Sequence, residues 1–281
     1  MADENESVRD FTAVITGANS GIGLAAAFGL ARQGGQIALV GRDQQRLDQA
    51  LFNVRAAAGP KATVEAFRAD FAELAQVREL AGVLADRYPR IDLLANNAGL
   101  VVPSRVTTVD GYELTIQTNH LAPFLLTSLL RDRLAGGRVV NTSSDAHNSG
   151  KLDPADLNSE QVTYRAFSVY GSSKQANILF AAEAARRWPE LFSTAYHPGV
   201  VRTRFGRDSG VVKMFYRFAP FLRTPEKGAD TLLWLAAEPL DSLVNGGYYV
   251  DRKLTQPSVP TRDPKVAAAL WEASEEAVGL A

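Results

Sequence analysis

Tyr170 and Lys174 stand four residues apart in SVYGSSKQANILF, 168–180, a spacing that puts both side chains on one helix face. A free phenol ionises near pH 10 and is a poor acid or base at neutral pH, unless a nearby cation stabilises the phenolate. Lys174 is such a cation, so the pair reads as the acid end of a catalytic site if other polar groups converge on it. RVVNTSSDAH, 138–147, delivers Ser143 and Ser144 to the end of an apolar run. In DGYELTIQTNHLAPFLL, 110–126, Asp110 with Glu113 three residues on marks a helix start. Deeper in that helix, Pro123 has no N–H for the carbonyl four residues earlier, that of Asn119. A helix kinked there leaves one main-chain oxygen free to hold a water.

A second group of residues suits a dinucleotide. VITGANSGIG, 14–23, follows an apolar run and opens a helix-like stretch, with glycines at Gly17, Gly21 and Gly23. Such a turn lets backbone N–H groups approach a pyrophosphate at the positive end of a helix. The next run exits as ALVGRDQQ, 38–45, where the Arg42 guanidinium suits the 2′-phosphate of NADP and a carboxylate would repel it. NADP(H) is therefore expected in preference to NAD(H), with Asp43 read as the cap of the following helix. Asp70, in RADF, either reaches the adenine amino group or caps its own loop. Asn97, Ala98 and Gly99, in LLANNAG, form a polar turn that either lines a ligand or merely links strand to helix.

The elements that must position these residues alternate. Seven short apolar runs, at 11–16, 36–40, 63–67, 91–96, 137–143, 192–197 and 246–250, are separated by helix-period stretches. That rhythm predicts βαβ units in a doubly wound α/β fold, a seven-stranded parallel sheet with helices on both faces. Residues 1–281 read as a single domain whose first ten residues form a loose tail. Two segments break the rhythm and are expected to be an active-site loop, 145–167, and a substrate lid, 203–223. In the second, Phe205, Val211, Val212, Met214, Phe215, Tyr216, Phe218, Phe221 and Leu222 could roof an apolar pocket or pack the lid on the core. The same stretch could also lie on a membrane surface, with Lys213, Arg217 and Arg223 near headgroups. Thr224 and Pro225 then cap and open a helix.

Composition excludes several classes. With 30 basic and 31 acidic residues, a net charge of -1 and no cysteine, there is no basic excess to attract nucleic acid, no disulfide and no thiolate metal site. Three scattered histidines, His120, His147 and His197, make no metal site; His147 is a candidate pocket-wall contact. The acidic, polar MADENESVRD is unlike a signal peptide, and no apolar run approaches the roughly 20 residues that span a bilayer. A cytoplasmic protein without an integral membrane segment is expected, with peripheral contact through the lid as an open alternative.

Taken together, these motifs resemble the short-chain dehydrogenase/reductases over nearly the whole chain. TGANSGIG resembles the family's cofactor loop, which would make Gly17, Asn19, Ser20, Gly21, Ile22 and Gly23 cofactor contacts. NNAG resembles its strand-four motif, and HPGVVRT, 197–203, its nicotinamide-side turn, with Pro198, Gly199, Val200 and Thr203. Asn119, Ser144, Tyr170 and Lys174 match the catalytic tetrad, with Ser143 the second candidate for the serine. RVVNTSSDAH, HPGVVRT, GGYYVDRKLTQPS and LWEASEEAVGL are most similar to the retinol dehydrogenase-like branch, which includes WW-domain oxidoreductases and light-dependent protochlorophyllide reductases. The cysteine of the protochlorophyllide enzymes is missing, as is the N-terminal membrane helix of many retinol enzymes.

The resemblance implies an NADP(H)-dependent interconversion of a hydrophobic aldehyde, ketone or alcohol by hydride transfer. Tyr170 would move the proton and Ser144 would hold the substrate oxygen. Lys174 would bind the nicotinamide ribose and lower the tyrosine pKa, while the Asn119 carbonyl would hold a water. It also implies that a homo-oligomer, where one forms, pairs through the helices bearing the asparagine and the tyrosine. The competing readings are a dinucleotide-sensing regulator without catalysis and a sugar-nucleotide epimerase or dehydratase.

Overall fold

The computed structural model of the protein describes residues 11–201 and 222–281. Its parallel strands are β1 (Thr12–Thr16), β2 (Gln36–Gly41), β3 (Thr63–Arg68), β4 (Leu93–Asn96), β5 (Arg138–Thr142), β6 (Phe192–His197) and β7 (Tyr248–Val250). The helices are α1 (Gly21–Arg32), α2 (Gln44–Ala57), α3 (Leu74–Arg87), α4 (Leu114–Ile116), α5 (Ala122–Leu129), α6 (Ala166–Arg187), α7 (Pro225–Ala237) and α8 (Pro264–Ala277).

The strands alternate between two cores because successive strand side chains point to opposite faces. Val14, Ala38, Leu94 and Val139 pack with α3, α5, α6 and α8, whereas Ala13, Ile15, Ile37, Leu39, Ala95 and Val140 pack with α1, α2 and α7. Trp271 of α8 lies edge-on to Phe124, 5.0 Å between ring centres, and to Trp188, at 4.6 Å. The end of the chain is thereby part of the core.

Strand order is β3-β2-β1-β4-β5-β6-β7, with a short strand Lys253–Leu254 beyond β7. The chain winds outward from β1 to β3, then returns to the other side of β1, which opens a crevice at the carboxyl ends of β1 and β4 where such folds bind ligands. An eighth strand, β8 (Lys253–Leu254), runs antiparallel to β7 and adds to the seven expected from sequence. The turn before it places Asp251 and Arg252 at φ 49 and 62, a left-handed pair whose twist suits a two-residue hairpin. Arg252 Nε donates to Asp230 Oδ2 of α7 at 2.9 Å, and Arg223 pairs with Asp251. Two exposed residues carry no alternation, so sequence pattern offers nothing by which to find β8.

The segment 145–167 is strapped down rather than hinged. A 3₁₀ turn, Asp145–Ser149, opens it and α6 takes its last two residues. Gln175 Nε2 donates to the carbonyls of His147 (2.9 Å) and Gly150 (3.2 Å), while its Oε1 accepts from Leu152 N at 3.0 Å. Of the expected lid, only Leu222 and Arg223 are described; Thr203 and the apolar residues from Phe205 to Phe221 lie outside the described residues. Among the described residues, no helix is long and apolar enough to cross a membrane.

Candidate active site

Two turns meet at the carboxyl ends of β1 and β4. The Thr16 hydroxyl donates to Ala95 O (3.2 Å) and accepts from Asn97 N and Ala98 N (both 2.9 Å), while Asn97 Nδ2 donates to Thr16 O at 2.9 Å. Thr16 was not singled out from sequence; its only signal is a hydroxyl at the last position of the first strand. Gly17 sits at φ +67, and a Cβ on Gly23 would fall 2.5 Å from Gly17 O and 2.6 Å from Asn97 Nδ2. Asn19 lies against Gly41 at the end of β2, and Ile22 against Gly228 of α7.

Ser20 caps α1 without a side-chain hydrogen bond, and the first turn holds no acidic residue. The positive end of this 12-residue helix is therefore not neutralised from within. A bare, closely packed cradle of this kind fits a pyrophosphate. Gly23→Ala is expected to destabilise the fold by about 1–3 kcal/mol and to abolish dinucleotide binding, readable by thermal melting and a fluorescence titration with NADPH.

At the adenosine end, Arg42 follows β2, and Asp43 accepts from Arg46 N at 3.0 Å as the cap of α2. The β2–β3 register pairs Gly41 with Arg68, and Arg68 Nε donates to Arg42 O at 3.1 Å. A second arginine thus stands beside the first, an arrangement that register alone creates. Asp70 Oδ1 accepts from Ala72 N at 3.0 Å, and Asp70 N donates to Gln76 Oε1 at 3.0 Å. Asp70 thus caps its own loop through Oδ1, just beyond β3.

The helix of Asn119 begins later than the Asp110 signal suggests. The buried Glu113 carboxylate accepts from Thr115 N (2.8 Å) and Ile116 N (2.9 Å), whereas Asp110 accepts from Leu74 N and Gln117 Nε2. Ahead of Pro123 the helix widens into a π-turn, Gln117–Leu121, in which Ala122 N donates to Gln117 O. Such turns absorb a proline's missing bond and cluster at functional sites. Asn119 is fully buried: its Oδ1 accepts from Leu100 N (2.8 Å), and its Nδ2 donates to Leu100 O (2.9 Å) and Ser173 Oγ (3.0 Å). The turn after β4 is thereby fastened to α6.

Lys174 is buried, and its Nζ donates to Thr142 O at 2.9 Å. Burial pushes the ammonium down to about 7. Nζ lies 5.4 Å from the centre of the half-buried Tyr170 ring and 3.5 Å from the point where Gly99 would carry a Cβ. Asn119 Oδ1 lies 3.2 Å from that same point, so Gly99, Asn119, Tyr170 and Lys174 converge.

The two serines part company. Ser143 is buried, with Oγ donating to Lys174 O at 2.8 Å. Ser144 is half-buried, and its Oγ accepts from Ala146 N at 3.2 Å, which leaves the hydroxyl proton to donate elsewhere. On the far side, His197 ends β6 and Pro198 is buried. The Arg223 side chain lies against Gly199, Val200 is exposed, and Val201 bridges to Arg223.

With this geometry in view, the comparisons with known proteins are specific. The family model "short chain dehydrogenase" matches residues 11–210. A protein of Streptomyces sp. (strain C5) named "Putative daunorubicin C-13 ketoreductase DnrU" is 59% identical over 268 residues, covering 95% of this chain and 92% of that one. Human retinol dehydrogenase 13 is 37% identical over 281 residues, covering 96% and 85%. Among solved structures, a short-chain dehydrogenase from Sphingobium yanoikuyae in complex with NADPH superposes with a TM-score of 0.65 at 26% identity, covering 79% of this chain and 82% of that one.

Proposed function

The chain belongs to the short-chain dehydrogenase family and is a dehydrogenase/reductase acting on CH–OH and C=O groups; from that premise we propose that it is an NADP(H)-preferring ketoreductase of hydrophobic substrates. The observation that carries the reading is a buried lysine 5.4 Å from the ring centre of a half-buried tyrosine. The name of the Streptomyces relative makes the side-chain ketone of daunorubicin the first substrate to try, and the retinol dehydrogenases make retinal the second.

In this reading Tyr170 gives its phenolic proton to the carbonyl oxygen that becomes the alcohol, and recovers it in the reverse direction. Ser144 donates a hydrogen bond to that oxygen as negative charge grows on it, and Ser143 holds the α6 backbone instead. Lys174, kept in place by Thr142 O, lowers the cost of the phenolate and would bind the nicotinamide ribose. Asn119 keeps the turn after β4 at its distance from Lys174, and its carbonyl is the candidate holder of a water leading to solvent. A dinucleotide held there would supply or take up the hydride at nicotinamide C4. Gly17 to Gly23 would hold its pyrophosphate, Asn97 to Gly99 and Pro198 to Thr203 its nicotinamide half, and Asp70 the adenine edge.

Arg42 is the specificity element for the 2′-phosphate. Fluorescence titration should show NADPH binding more tightly than NADH. Arg42→Ala should weaken NADPH about 10- to 100-fold, as expected for a hydrogen bond to a charged group, and leave NADH nearly unchanged. Equal affinities in the wild type would sink the preference. α8 packs on α6 and its Trp271 meets Phe124 of α5, so a homo-oligomer pairing through the helices that family members use would have to accommodate α8.

A further inference from the structure

The turn that carries Ser144 is held by two of the chain's three histidines, in opposite senses. His147 returns to its own turn twice: its N donates to Ser144 O at 3.0 Å, and its Nδ1 lies 2.8 Å from the same oxygen. Its Nε2 accepts from Ser258 N at 3.1 Å. A ring nitrogen that accepts carries no proton, so the His147 proton sits on Nδ1 and donates to the Ser144 carbonyl. The ring is buried, edge-on to Tyr248 at 5.3 Å between centres, which holds that orientation.

His197, at the end of β6, does the reverse. Its Nδ1 accepts from Asp145 N at 3.1 Å, so its proton sits on Nε2. An imidazolium, with donors on both nitrogens, would set N–H against N–H at Ser258 in one case and at Asp145 in the other. Both bonds therefore require neutral rings, in opposite tautomers. Burial, with the Arg223 charge on the same side and Asp145 and Asp251 against it, pushes the His197 imidazole below its ordinary value, in the same sense as the geometry.

We infer that His147 and His197 are a pair of positioning residues, of opposite tautomer, that aim the Ser144 hydroxyl and fasten the segment before α8 to the turn that carries it. The inference rests on the reading of Ser144 as the residue that holds the substrate oxygen. The Ser144 carbonyl takes two donors from His147 and the next peptide N–H is taken by His197, so the backbone on the C-terminal side of Ser144 is held by both rings. Ser144 Oγ already accepts from Ala146 N; with the peptide fixed, its remaining freedom is where the proton points. Gly150 and His147 are in turn held by Gln175 of α6, the helix of Tyr170 and Lys174. The serine and tyrosine are thus set relative to each other by bonds outside the reacting groups.

Two measurements on the full chain test this. In long-range 1H–15N spectra of 15N-labelled protein at neutral pH, with resonances assigned by loss in His147→Asn and His197→Asn, His147 should show a protonated Nδ1 and His197 a protonated Nε2. Equal tautomers, or a charged ring at either position, overturn the inference whatever the substrate. In NADPH-dependent reduction of daunorubicin, His147→Gln and His197→Ala should lower kcat about 10- to 100-fold, the scale of a misplacement near 1 Å, with NADPH affinity unchanged.

Asparagine places a carboxamide atom near the Nδ1 position, so it can donate in place of His147 and accept in place of His197. The two asparagine variants should therefore recover most of the lost kcat at similar Tm. Full kcat in His147→Gln and His197→Ala, or asparagine variants as impaired as these, also overturn it. A wild type that binds NADPH but leaves daunorubicin untouched counts against that substrate alone, and the tautomers then decide.

Discussion

Tyr170→Phe should leave NADPH binding intact while cutting turnover by about 10²- to 10⁴-fold, the usual worth of a positioned proton donor. The substitution removes one oxygen from a half-buried ring and leaves its contact with Lys174 Nζ, 5.4 Å from the ring centre, in place. Its neighbours in the described site have bonds of their own: Ser143 and Ser173 donate to main-chain carbonyls of α6, and Asn119 bonds to Leu100 and Ser173. The loss should fall on kcat and be matched in kcat/KM, the pattern of an interaction made in the transition state. Parallel NADPH titrations and turnover assays decide it. A variant that keeps more than a tenth of the wild-type rate would show that the proton comes from elsewhere, and would remove Tyr170 from its proposed role.

Lys174→Met should abolish turnover while making the dinucleotide-free protein more stable at neutral pH. The unfolded lysine titrates near its ordinary value of 10.5, whereas burial pushes the folded group down to about 7. Between those limits the unfolded chain binds the extra proton, so stability rises with pH across the window and is lost as pH falls through it. Near pH 7 the burden amounts to a few kcal/mol, at about 1.36 kcal/mol per pKa unit. Methionine fills similar volume without a charge to desolvate. It also strands no acceptor, because Thr142 O keeps its bond from Asn177 Nδ2 at 3.0 Å.

Thermal melts of both proteins at pH 7, 8 and 9 should show the wild type gaining on the variant as pH rises, with the variant ahead at pH 7. A variant less stable than the wild type at every pH would mean that the Thr142 bond outweighs the buried charge. If the expectation holds, the protein bears a stability cost for keeping a titratable cation under Tyr170, as catalytic sites commonly do.

Much of this was legible in the amino-acid sequence because the signals are local. The seven parallel strands follow from short apolar runs separated by helix-period stretches, and the turn between β1 and α1 from glycines placed where backbone must approach backbone. Tyr170 and Lys174 share a face by the geometry of one helical turn. The cap at Asp43 was likewise readable, since the N–H it accepts lies three residues on.

Other features depend on partners far away along the chain. The signal of Asp110 with Glu113 three residues on places the helix start at Asp110, yet Glu113 is the cap, and Asp110 accepts instead from Leu74 N and Gln117 Nε2. Arg68 reaches Arg42 only through strand register, and the hairpin before β8 is tied to Asp230 of α7, more than twenty residues back. The segment 145–167 has the composition of a loose loop; Gln175 and Ser172 of α6 make it a fixed wall.

The sequence by itself thus determined the family, the doubly wound fold, and the residue types at both ends of the crevice, since periodicity and short motifs are properties of neighbouring residues. Only the tertiary structure shows that Ser143 donates to the Lys174 carbonyl while Ser144 accepts from Ala146 N, and which histidine nitrogens accept backbone N–H groups. It also shows the lysine buried, with no carboxylate among the described residues acting to hold it charged. Extended backbone sends successive side chains to opposite sides, so Ser143 turns toward the Lys174 carbonyl and Ser144 does not. Burial and hydrogen-bond direction are set by what packs on the other side, which no stretch of sequence contains.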